Sequence, residues 1–480
     1  MLYNSYDIQL KNTLTILLLF SIFLFPINGL PYFRNTFREL ATEGSFYPVL
    51  LMMIILLFFH RLVKIDFNET TIKLILLFLF FVILSSLVNI PNIFQNYHKG
   101  RSGIEKLIYQ LLLLLFIYCS IIAFYTVLKN LMLDIKVIQK TLLYSLLFCS
   151  IIGVIEIINI FSDINIIKKI LYFIDIYFTP SDGTNFTNNY IGYNFGKVKT
   201  LSFEPSFFTN FLLFSFPWIL YYNVSDRNKK FAKILFINFI ILIVIFNQTR
   251  TAYFAIIIQI IVFFFLEGRD IKQKILINGI IFFILFYLLF SNLSVNTYYF
   301  KGKIDIVNIY RSLFDKKNPS NKTRYTTIKS AMSVANENPF FGVGFGQSGF
   351  HIIKYFHKYT NIHGDLLKFV SKEKYLYAWP ISHSLYARLA AETGYIGLLL
   401  FLLIYFYIII YSFKLRKITE FKIILLSTIG ILLSGLNTDS IKFLYISFNI
   451  AFFIYIKERY KDKEKNFFKS NTKLFVIKAN

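Results

Sequence analysis

The sequence predicts an all-α, polytopic membrane protein with about twelve transmembrane helices and one large external loop. Three observations predict it. Hydrophobic residues make up 56% of the chain and charged residues 16%, with a mean hydropathy of +0.58; an ordinary soluble domain carries about 25% charge. The apolar residues gather into runs long enough to cross a bilayer. A single polar stretch of roughly ninety residues, Asn292 to His383, interrupts them.

The apolar runs lie near 12–28, 47–62, 72–90, 107–128, 141–162, 206–222, 231–246, 251–266, 275–291, 395–412, 421–436 and 441–456. Some are only just long enough to span. They divide the chain into residues 1–291, with nine spans and a smaller external segment near 162–205; the loop 292–383; three further spans over 384–456; and a basic tail, 457–480. After the first run, Pro26-Ile27-Asn28-Gly29 offers no small-residue cleavage pattern, so the run reads as a retained anchor.

The formal net charge is +25, which in a soluble protein would suggest nucleic acid as a partner. Its distribution argues otherwise. Basic clusters such as Arg61 and Lys64, Lys136 and Lys140, Arg227 to Lys233, Arg269 to Lys274, and Lys414 to Lys422 fall on every second connection. The positive-inside rule then places both termini in the cytoplasm and the long loop outside. The charge serves topology and anionic lipid headgroups. Cys119 and Cys149 lie inside apolar runs, which excludes a disulfide framework or a cysteine zinc site.

The smaller external segment opens with a mixed apolar and charged stretch, 166–178, suited to an amphipathic helix in the interface. A turn, Pro180-Ser181-Asp182-Gly183, follows, and Ser202-Phe203-Glu204-Pro205-Ser206 closes it. The long loop has about thirteen basic and five acidic residues, a balance that favours an anionic ligand. Within it Asn321-Lys322-Thr323-Arg324 leads into a helix through Asn336, which Asn338-Pro339 ends because the residue before a proline is pushed out of the helical region. Gly342-Val343-Gly344-Phe345-Gly346 then reads as a hinge or a close approach of backbone. With no preceding strand and no Lys-Ser/Thr it is a poor nucleotide loop.

Four residues are candidates for chemistry. Arg250 lies in the very short turn Asn247-Gln248-Thr249-Arg250-Thr251, either as a snorkelling helix anchor or as an anion ligand. Arg324 opens the loop helix, either solvated or turned to the same anion. Two guanidinium forks on one membrane face suit a pyrophosphate, because each binds two oxygens and stays protonated. Glu204, at the mouth of a span, could orient a hydroxyl, act as a base, or pair with an arginine. His383 ends the loop where apolar sequence resumes, and Ala387, Ala390 and Gly394 follow it at helical spacing. It could move a proton, donate to a phosphate oxygen, or merely cap the helix. Glu156, inside the fifth run, reads as a structural partner. His351, His357 and His363 lack companions at ligand spacing, so no metal site is expected.

Taken in order, these segments resemble the O-antigen ligase and Wzy-type polysaccharide polymerase family. His383-Ser384, nine residues, then Gly394-Tyr395-Ile396-Gly397 resembles the motif that closes that family's large periplasmic loop. Asn338-Pro339-Phe340-Phe341-Gly342-Val343-Gly344 is similar to its Asn-Pro-x-x-Gly-x-Gly stretch, and Arg324 to its loop arginine. Thr249-Arg250-Thr251-Ala252 resembles its short arginine turn, and Ser202 to Ser206 the Phe-Glu-Pro-Ser motif of its polymerases. The likeness covers about residues 190–400.

The resemblance implies a membrane-embedded glycosyltransferase of the C type, metal-independent and without cofactor, in a bacterial cell membrane. Its donor would be an undecaprenyl-pyrophosphate-linked oligosaccharide. Arg250 and Arg324 would hold the pyrophosphate, and His383 or Glu204 would be the base. The Glu204 motif favours a polymerase, whose acceptor is a lipid-linked glycan. The alternatives are a ligase to lipid A core and a flippase or transporter of the same lipid-linked sugars. The sequence does not specify the sugars or any chain-length regulator.

Overall fold

The computed structural model describes residues 2–33, 37, 39–63, 66, 68–162, 164–178, 197–222, parts of 236–247, 249–267, 294–296, 301–303, 318–362, 365–371 and 378–461. Almost all regular structure among them is helical. The longer helices are α1 (Leu2–Phe23), α2 (Phe46–Phe58), α3 (Thr70–Val88), α4 (Gly103–Leu131), α5 (Ile135–Phe161), α6 (Asn165–Phe178), α7 (Pro205–Leu220), α8 (Arg250–Leu266), α9 (Pro319–Glu337), α10 (Leu385–Lys414), α11 (Thr419–Ser434) and α12 (Leu444–Arg459). Two short antiparallel hairpins, Tyr97–His98 with Arg101–Ser102 and Ser294–Asn296 with Lys301–Lys303, complete the picture.

Among the described residues four helices are long and apolar enough to cross a membrane: α3, α4, α5 through Ile160, and α10. Helix α10 is broken at Gly394, and its unbroken part, residues 395–414, at about 1.5 Å per residue matches a hydrocarbon core of about 30 Å. The shorter apolar helices include α2, α7 and α8, so the twelve-span expectation is met only in part. The run expected over 275–291, most of 292–317, the turn at 180–183 and nearly all of the basic tail fall outside the described residues.

The helices face two environments. On α3, Leu76, Phe80, Ile83 and Leu87 are exposed at helical spacing, while Ile75, Phe78 and Val82 are buried. On α10, Leu399, Leu403, Phe406 and Ile410 repeat the pattern. Continuous exposed stripes of this kind suit contact with lipid and not with water. The chain is a membrane protein.

The interior faces pack α12 against α4, α11 against α7, α10 against α3, and α9 across the first turns of α10. Aromatic side chains dominate the core: Phe25, Phe214, Tyr445 and Phe448 form one cluster with centroids 5.3–6.2 Å apart. Serine hydroxyls on the spans bond carbonyls in place of water, as Ser427 Oγ does to Phe214 O at 2.8 Å. Glu156 has a similar role. Its Oε2 accepts from the backbone N–H groups of Lys199 and Thr200 at 3.1 and 2.9 Å, tying α5 to the segment that leads into α7.

Helix α6 is amphipathic, with Leu171 and Ile174 buried and Ile166, Ile170 and Phe173 exposed. Helix α9 begins at Pro319 under an Asn318 cap and stops at Glu337, where the Asn338-Pro339 pair predicted its end.

Candidate functional site

The entry to α7 is built by its proline. Glu204 takes extended backbone, φ −135° and ψ 155°, because Pro205 forbids a helical conformation before it. The first connection of the chain braces this strand-like approach: Asn28 Oδ1 accepts from Phe203 N at 2.8 Å, and Ser202 Oγ donates to Pro26 O at 2.7 Å. The carboxylate itself is exposed, and Oε2 accepts from Ser206 Oγ at 3.1 Å.

The arginine turn docks on that entry. Asn247, buried, donates from Nδ2 to Val198 O at 2.8 Å and to Pro205 O at 2.9 Å, and its Oδ1 accepts from Thr209. Three residues on, Arg250 is the first residue of α8. Its side chain lies outside the described residues, but its backbone is fixed close to Glu204 by this asparagine.

From the long polar segment, α9 brings Arg324 to the same place. Burial pushes the guanidinium below its usual value, and the Glu204 carboxylate opposes that shift. The two charges therefore sit within electrostatic reach although the chain separates them widely. One turn farther along α9, Thr327 Oγ1 lies 2.9 Å from His383 Nδ1. Residues three apart share a helix face, so Arg324 and the histidine contact project together.

His383 itself sits in the left-handed region, φ 52°, which is uncommon for a residue with a side chain and costs of order 1 kcal/mol or more. The turn is held on both sides. Ser382 N donates to Asp439 Oδ2 at 3.2 Å, and Leu385 N donates to Gly435 O at 2.9 Å. The remaining histidines of the segment are elsewhere: His351 Nε2 is 3.3 Å from Asn96 Nδ2, His357 is exposed, and His363 is outside the described residues.

The glycine motifs prove to be two halves of one joint. Backbone N–H groups of Val343 and Gly344 donate to the carbonyls of Ala391 and Glu392 at 2.9 and 3.0 Å, and Tyr395 N donates to Pro339 O at 2.8 Å. This pairing interrupts α10 at Gly394, which adopts φ 68°. A Cβ at Gly394 would fall 2.4 Å from the Phe340 backbone, and one at Gly342 the same distance from Glu392. Only glycine permits both the conformation and the approach.

Near the joint lies a largely buried charge network, half-exposed at Glu39, that the sequence reading missed. Arg388 donates to Glu392 Oε1 at 3.0 Å, to Asp439 O at 2.7 Å and to Gln110 Oε1 at 2.6 Å, and Ser348 donates to the same glutamate oxygen at 2.8 Å. Lys106 meets Glu39 at 3.3 Å, and Lys442 meets Glu43 at 3.3 Å and Thr42 at 2.8 Å. Lys106 holds the Glu39 carboxyl down to about 2, whereas burial raises that of Glu43 to about 7 against the pull of Lys442. Burial likewise raises the Asp439 carboxyl, opposed by Arg388. Two signals were available: Arg388 and Glu392 are an i,i+4 opposite-charge pair inside the nine-residue gap of the histidine motif, and Glu39, Glu43 and Lys106 flank apolar runs.

The arrangement offers a carboxylate within electrostatic reach of a half-buried guanidinium, and an imidazole one helical turn from it. Among the described residues no group of three His, Cys, Asp or Glu side chains is placed to hold a metal ion. Residues 235–402 match the family model described as Wzy_C, O-Antigen ligase. No curated protein matches the chain.

Proposed function

We propose that this chain, whose residues 235–402 match the O-antigen ligase model, transfers lipid-linked glycan and is the polymerase of a repeat-unit polysaccharide. It takes glycan from an undecaprenyl-pyrophosphate donor and adds it to a lipid-linked acceptor at the outer face of the bacterial cell membrane. The observation that carries this reading is the meeting of Glu204, Arg324 and His383 from three separate segments. An acceptor hydroxyl attacks the anomeric carbon, the carbon–oxygen bond to the pyrophosphate breaks, and the electron pair leaves with the phosphate oxygen. Arg324 and Arg250 stabilise that developing charge, which fixed cations in a water-poor site do effectively. His383 takes the hydroxyl proton, and Glu204 orients Arg324 and the acceptor. The reaction is metal-independent in this scheme, since the cations that a metal would replace are the two guanidinium groups.

Ligation to lipid A core is the second reading. The Phe203-Glu204-Pro205-Ser206 stretch supports the first, because it resembles the motif often seen in the polymerases of this family. Glycan on cells lacking the protein separates them. Surface glycan of a single repeat indicates the polymerase, and long polymer stranded on undecaprenyl pyrophosphate indicates the ligase.

A further inference from the structure

The Thr327–His383 contact can run in either direction, according to the histidine tautomer, and the atoms around Thr327 favour one of them. Thr327 is fully buried, and its Oγ1 approaches three atoms: His383 Nδ1 at 2.9 Å, the Arg324 carbonyl at 3.1 Å and the Ser382 carbonyl at 3.5 Å. A hydroxyl has one proton to give and two lone pairs to receive with. Carbonyl oxygens can only accept, and a helical threonine whose hydroxyl reaches the preceding turn donates back to it. With its proton directed to Arg324 O, Oγ1 meets Nδ1 as an acceptor.

From this we infer that Thr327 is a positioning residue that holds His383 in the Nδ1–H tautomer, so that Nε2 carries the basic lone pair. The inference rests on the proposed glycosyl transfer, in which Nε2 receives the proton of the acceptor hydroxyl as the new glycosidic bond forms and the pyrophosphate departs. It also explains a strained backbone. A left-handed φ at His383 is retained where the surroundings over-determine it, and here Asp439 and Gly435 hold the backbone while Thr327 holds the ring. The bonded carbonyl belongs to Arg324, so one helical turn registers the leaving-group cation against the base.

The test uses the full-length protein reconstituted with lipid-linked donor. Thr327→Val keeps the shape and removes the hydroxyl; it is expected to lower kcat about tenfold, the worth of one neutral hydrogen bond, with KM for the donor unchanged. Thr327→Ser retains the hydroxyl and should restore most of kcat. Nitrogen-15 spectra of histidine-labelled wild-type protein, assigned by loss of one resonance in His383→Gln, should show His383 protonated at Nδ1. Wild-type kcat in Thr327→Val, an equal loss in both variants, or a resonance protonated at Nε2 would overturn the inference. Absence of any transfer by the wild-type protein would instead overturn the reading of the site, the spectrum still deciding the tautomer.

Discussion

Arg388 and Asp439 are joined at 2.7 Å, Nη1 to backbone carbonyl, while the Asp439 carboxylate accepts from the N–H of Ser382 at 3.2 Å. The arginine thus supports His383 from behind, through the connection between α11 and α12. Its other contacts, Glu392 and Gln110, are buried as well. Removing the guanidinium leaves an almost fully buried carboxylate without its charge partner, which typically costs about 3–5 kcal/mol. Arg388→Ala should therefore lower the unfolding temperature of the detergent-solubilised protein markedly, and Arg388→Lys less so. An unchanged melting curve for Arg388→Ala would show that the network is not a support.

The glycine joint gives a sharper contrast. Gly394→Ala meets both a left-handed φ and the Phe340 backbone, whereas Gly100→Ala meets a left-handed φ of 74° with nothing nearby. The second change should cost only about 1–2 kcal/mol of conformational energy; the first should abolish most folded protein. Equal yields of the two variants on size-exclusion chromatography would argue against the joint.

Glu43 sets an expectation for pH. Its carboxyl is raised by burial from the ordinary 4.5 to about 7, so the folded state binds a proton that the unfolded chain releases earlier. The resulting stabilisation is complete below about pH 4.5 and is lost as pH rises through about 7. Comparing melting temperatures between pH 5 and 8, the wild-type protein should decline more steeply than Glu43→Gln. Parallel curves would remove Glu43 as the source.

Much of this was legible in the sequence because it depends on local rules. Apolar runs gave α3, α4, α5 and α10; the Asn338-Pro339 pair gave the end of α9; and the expectation that Gly342 and Gly344 mark a close approach is met at Glu392. Arg324, Glu204 and His383 were named individually, but their meeting is tertiary. The network was not legible for the same reason. Gln110 and Arg388 are 278 residues apart, and Lys106 was one lysine in a lysine-rich chain until Glu39 was seen beside it. The very short spans also remained indistinct, since an apolar run such as 47–62 folds as only 13 helical residues in α2.

Topology can be checked independently of activity. Cysteine at Lys358, in the exposed part of the long segment, should react with a membrane-impermeant thiol reagent in whole cells, with the outer membrane permeabilised if there is one. Cysteine at Lys461, after α12, should react only once the membrane is opened. The opposite pattern would place the site on the wrong face for a lipid-linked donor.

The arginines should act as forks and not as bulk charge. Arg324→Lys and Arg250→Lys are each expected to rescue poorly relative to Ala, because an ammonium replaces a bidentate, planar group. Near-normal polymer length in cells expressing the Arg250→Lys, Arg324→Lys double variant would show that any positive charge suffices.

The most direct measurement is glycan transfer by the purified protein from an undecaprenyl-pyrophosphate-linked repeat unit, with wild type and His383→Gln compared at equal folded concentration. The account predicts that wild type lengthens the glycan and releases undecaprenyl pyrophosphate. His383→Gln should bind donor normally yet turn over about 10²–10⁴-fold more slowly, since an amide cannot accept the proton. Wild-type turnover by His383→Gln, or no transfer by the wild-type protein, would contradict it.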